Sequence, residues 1–150
     1  MRERSRATRH HGFEKPPTRR GKSRGRWHDL GAILGELNEL LFERRFEGRI
    51  CWGREGNRRR RSRRTIRLGS YSFEERLIRI HPALDQAFVP KYFVEWVVYH
   101  EMLHQKVPTP TKNGRRLCHT REFRSLEACF PHHATAKAWE DANLQRLLTF

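Results

Sequence analysis

Between Tyr92 and Leu103 the chain carries Phe93, Val94, Trp96, Val97, Val98, Met102 and Leu103, and sets His100, Glu101 and His104 among them. A helix that is apolar nearly all round is buried at the centre of its domain, so any fold of this chain must be built around this segment. Pro90 suits the first position of that helix, where a missing N–H is of no consequence. A carboxylate and two imidazoles in such surroundings are costly unless something compensates them.

The spacing says what that something is. His100 and His104 lie one helical turn apart, on one face, with Glu101 beside them. The five residues read His-Glu-x-x-His, in which two neutral imidazoles hold a divalent cation and the glutamate works on a metal-bound water. Zinc (Zn2+) accepts nitrogen ligands at about 2.0–2.1 Å and in catalytic sites keeps one position for water. The water then approaches a pKa of about 7, and Glu101 is placed as the general base that takes its proton and returns it to the leaving amine. A third protein ligand is required. His119, fifteen residues past His104 at the end of a loop, is the first candidate; Cys118, Glu127, His132 and His133 are the rivals. The remaining histidines are assigned no role.

The rest of the chain reads as one α+β domain. Asp29 offers an N-cap to a helix expected over residues 29–46 and ended by Gly48, with Leu30, Ile33, Leu34, Leu37, Leu40 and Leu41 at helical spacing. Residues 49–53 form a short apolar strand, residues 65–69 begin a second, and residues 76–81 alternate as a half-buried third. Strands this short, joined by tight loops, are expected to be antiparallel. Residues 107–118 read as a loop, residues 120–130 as a helix turning Phe123, Leu126 and Phe130 inward, and residues 134–148 as a last helix.

The charge is unevenly spread. Residues 1–26 carry ten Arg/Lys against two Glu, and residues 54–67 eight Arg against one Glu, so these two segments account for the whole net charge of +15. The first has almost no apolar side chains and is expected to be a disordered basic tail. The second contains Arg58, Arg59, Arg60, Arg61, Arg63 and Arg64, the candidates for nucleic-acid binding. Arginines in such numbers attract polyanions regardless of sequence, and no helix-turn-helix pattern suggests base reading. Three cysteines with no C-x-x-C pair give neither a disulfide framework nor a zinc ribbon. No apolar run approaches a membrane span, and a cytoplasmic setting with no membrane partner is expected.

From about residue 30 to 147 the sequence resembles the SprT-like zinc metallopeptidases, the family of the Spartan and YgjP-related proteins. The residues that carry the likeness are LNELLFERRFEGRI, RRTIRLGSY, RLIRIHPALD, VPKYFVEWVVYHEMLH and CHTREFRSLEACFP. The resemblance implies His100, His104 and His119 as ligands and Glu101 as catalytic base. It implies a small zincin-like domain over residues 27–150, with a short three-stranded antiparallel sheet beside the buried helix and further helices at both ends. It also implies a metalloendopeptidase with a protein substrate, acting on DNA-associated proteins where the basic segments bind DNA. The C-terminal cysteine ribbon of some members is missing here. The alternative is a DNA- or RNA-binding protein whose zinc site is structural or vestigial.

Overall fold

The computed structural model describes residues 21–54 and 65–150. The arginines from Arg58 to Arg64 and the first twenty residues of the basic tail lie outside the described residues. Four helices, α1 (Leu30–Leu41), α2 (Lys91–Lys106), α3 (Arg121–Ala128) and α4 (His133–Leu148), surround a sheet of β1 (Arg49–Trp52), β2 (Gly69–Ser72) and β3 (Leu77–Ile80). A separate pair, β4 (Thr111–Lys112) and β5 (Arg115–Arg116), follows α2. The fold is α+β, and no helix of the described residues is long and apolar enough to cross a membrane.

The α2 helix is the hub, packing against α1, α3, α4, β2 and β3. Nine of its residues are buried, from Phe93 to Leu103, and Glu101 is among them. Its mixed composition therefore marks a core element, as expected.

The sheet corrects the antiparallel expectation. Its order is β1-β3-β2, with β2 antiparallel to β3 but β1 parallel to it. The physical reason is loop length. Four residues between β2 and β3 allow only a reversal, whereas residues 53–68 are long enough to carry the chain past the place that β3 later fills. The second strand also runs later than the sequence suggests, at Gly69–Ser72.

The first helix ends at Leu41, before the expected boundary at residue 46. Asp29 caps it, accepting from the N–H of Gly31 (3.0 Å) and Ala32 (3.2 Å). It stops at Leu41 because Glu43 and Arg44 take positive φ (52° and 61°), and the Asn38 side chain then claims the backbone N–H and C=O of Phe46. Gly48 is no helix cap: a Cβ there would lie 2.8 Å from the Arg76 carbonyl oxygen, so the residue permits close packing of two backbones.

Residues 21–26, counted with the tail from sequence, are hydrogen-bonded to the domain. Trp52 N–H donates to the Lys22 carbonyl at 2.9 Å, along the free edge of β1. The Asp85 carboxylate accepts from the N–H groups of Arg26 (2.6 Å), Trp27 (2.8 Å) and His28 (3.0 Å). Backbone pairing orders this stretch without apolar side chains.

Candidate metal centre

Three imidazoles meet at the C-terminal half of α2. His100 and His104 project from one face of the helix, and His119 arrives from the turn before α3. Each offers a nitrogen within 4.8 Å of the others, and they are the group among the described residues able to hold a metal ion. Their ring centroids stand 4.9–5.2 Å apart, a nearly equilateral triangle. Cys118, Glu127, His132 and His133 are not members of this group.

The local sequence explains the convergence. Thr120 caps α3 by accepting from the Phe123 N–H at 3.2 Å, which fixes the turn carrying His119. Phe123 is fully buried and touches all three rings, with centroid separations of 5.0, 4.8 and 4.9 Å from His100, His104 and His119. One aromatic side chain thus forms an apolar floor under the triangle.

Glu127, a rival for third ligand in the sequence, has a different place. Its Oε1 lies 2.7 Å from His100 Nδ1. A carboxylate only accepts, so Nδ1 carries the proton and His100 Nε2 presents a lone pair. Such a partner orients a metal-binding imidazole. Burial pushes the Glu127 carboxyl up, but the His100 hydrogen bond and the fields of His100, His133 and His119 outweigh it and leave it below its ordinary value.

The nitrogens fit a cation. His100 Nε2 and His119 Nε2 are 3.1 Å apart, close to the roughly 3.3 Å that two nitrogen ligands span on tetrahedral zinc. Without a cation, His119 Nε2–H can donate to the His100 Nε2 lone pair; with its proton on Nδ1 instead, both nitrogens turn lone pairs to one position that a cation could fill. Burial, followed by the fields of His100 and His119, lowers His104 to about 4, and burial also lowers His119, so both favour the neutral form that binds metal.

Glu101 completes the site. It is 5% exposed, and its Oε2 has no hydrogen-bond partner although it lies 3.9 Å from His104 Nε2. Burial raises its carboxyl to about 7, against the opposing fields of His100 and Arg67. Gly69, the first residue of β2, makes room for it: a Cβ there would stand 2.6 Å from Glu101 Oε1. The histidines open into a cleft of about 220 Å³, lined by the apolar Ile66, Trp96 and Val97 and by the charged Arg67 and Glu140. The Trp96 Nε1 donor is buried without a partner.

His100, Glu101, His104 and His119 are therefore brought together as the sequence suggested. The parts it missed are Arg67, Gly69, Glu140 and the orienting role of Glu127. A glutamate eight residues past His119, two helical turns along α3 and so near its face, was the available signal for Glu127. The others come from elements distant in sequence and carried no signal. Compared with known proteins, the chain matches no family model, no curated protein and no solved structure.

Proposed function

We propose that this chain is a zinc-dependent peptidase. The observation that carries the reading is the unpartnered Glu101 carboxylate oxygen, buried beside three converging imidazoles. A purely structural metal site would have no use for that carboxylate, and burying it unpaired costs stability. The resemblance of residues 30–147 to the SprT-like metallopeptidases supports the same reading.

His100, His104 and His119 would hold the cation, with Glu127 orienting His100. Three neutral imidazoles suit zinc, which when bound supplies Lewis acidity and makes water a competent nucleophile near neutral pH. Glu101 takes a proton from water as its oxygen bonds to the peptide carbonyl carbon, and delivers a proton to the nitrogen as the C–N bond breaks. A carboxyl poised near neutrality suits both halves of that transfer, and a neighbouring cation favours the carboxylate form needed first. Trp96 and Val97 keep the cleft wall apolar, which strengthens the electrostatics within it.

Attraction of DNA to the basic segments would direct this peptidase to DNA-associated proteins; that part rests on composition, since most of both segments lies outside the described residues. The test is metal analysis with a proteolysis assay on an unfolded protein. About one zinc per chain is expected. Glu101→Gln should keep the metal and lose cleavage by about 100-fold or more. Full activity in that variant would remove Glu101 as base, and a metal-free purified chain would remove the peptidase reading.

A further inference from the structure

Outside the two basic segments the chain is near neutral as a whole, yet four Lys/Arg and no acidic residue lie between Met102 and Arg121. Three of them sit on the β4–β5 hairpin. Asn113 and Gly114 form its tip with φ of 51° and 72°, as a two-residue hairpin turn requires. The register places Lys112 directly opposite Arg115, and Arg116 opposite Thr111. Like charges facing each other across a strand pair oppose its formation. No acid relieves them: none of Lys112, Arg115 and Arg116 forms an ion pair among the described residues.

Phe73, in the turn between β2 and β3, stands against this hairpin. It is 43% exposed, and the Arg116 guanidinium lies 5.8 Å from its ring centroid. Tyr71 packs against the ring edge-on, with centroids 4.9 Å apart. Tyr71 is itself fixed by a hydrogen bond from Gln105 of α2 to its hydroxyl, at 2.9 Å. An exposed aromatic packed on Tyr71, with the Arg116 guanidinium over its ring and further cations on the same hairpin, matches what binds single strands: a ring for a base and cations for phosphates.

We propose that Phe73 and the β4–β5 hairpin form a binding surface for single-stranded nucleic acid. Phe73 stacks on a base while Lys112, Arg115 and Arg116 meet the phosphates on either side. An acidic peptide would use the same cations but leave the ring idle, so the exposed phenyl favours the nucleic acid. The hairpin leads through Leu117 and Cys118 to His119, so the surface is joined along the chain to one of the candidate metal ligands. The inference does not depend on the peptidase reading.

Fluorescence anisotropy on the full chain tests it, with oligothymidylate and an abasic phosphodiester strand of equal length compared over a salt series. The unaltered chain should prefer the strand with bases. Phe73→Ala should weaken that strand by about 5-fold or more and leave the abasic strand unchanged; Phe73→Trp should keep the preference. Arg115→Ser with Arg116→Ser should weaken both strands and flatten the log-affinity against log-salt slope by about 1.4. The proposal is overturned if Phe73→Ala keeps the base preference, if the double variant keeps the slope, or if a polyglutamate peptide of equal charge competes as well as oligothymidylate. All three positions are exposed, and thermal unfolding confirms that the variants fold.

Discussion

Glu127 decides what His100 offers a metal. By accepting from Nδ1 at 2.7 Å it leaves Nε2 free toward His119. Glu127→Gln replaces an acceptor-only group by an amide and weakens that orientation. We expect zinc affinity to fall by about 10- to 100-fold, measured by competition with a chromogenic chelator. Glu101 should have a signature in stability as well as in the proposed catalysis. In the metal-free chain its folded pKa of about 7 lies above the ordinary 4.5 because of burial, so the folded state holds a proton that the unfolded chain releases. Folding is then opposed increasingly as pH rises from 4.5 to 7, by at most about 3 kcal/mol above pH 7 and by nothing below 4.5. His104 acts oppositely: its folded value of about 4 lies below 6.5, so it opposes folding as pH falls through that window. Glu101→Gln removes the first effect alone. With chelator present the variant should resist denaturant better than the unaltered chain at pH 8, and no better at pH 4.5.

At the scale of elements, the sheet shapes the surroundings of α2 by proximity. Only a residue without a side chain lets β2 lie against Glu101, since a Cβ at Gly69 would approach Oε1 to 2.6 Å. Gly69→Ala should push the carboxylate aside, lowering any cleavage and destabilising the domain by about 1–3 kcal/mol; chemical denaturation and the proteolysis assay read the two effects. Elements were legible in the sequence where a local signal set them. Asp29 starts α1, Thr120 starts α3, and the apolar run of α2 shows its burial. The β4–β5 hairpin was read as loop although Asn113-Gly114 between short polar strands was a usable turn signal. The end of α1 was read too late, near Gly48, although the leucine period stops at Leu41 with the helix. The stop is made by Asn38 reaching Phe46, eight residues on, and that contact has no local signal.

For the whole molecule, the three histidines join α2 to the segment before α3, so a cation bound by them should brace the fold. Zinc at a thousandfold excess over its Kd would add about 4 kcal/mol to stability by mass action. Thermal unfolding with zinc and with chelator should therefore separate widely for the unaltered chain and much less for His119→Ala, while the two chains unfold alike in chelator. The sequence by itself determined that α2 is buried, that His100, Glu101 and His104 share its face, and that His119 is within reach, because helical periodicity and burial are local consequences of residue type. It also determined an α+β composition of elements. Only the tertiary structure decided the parallel pairing of β1 with β3, the turn of Glu127 toward His100 rather than toward the metal position, and the meeting of Phe73 with Arg116. Each of these depends on where a chain of given length comes to rest against another element, and contacts between residues far apart in sequence leave no periodicity in the letters that make them.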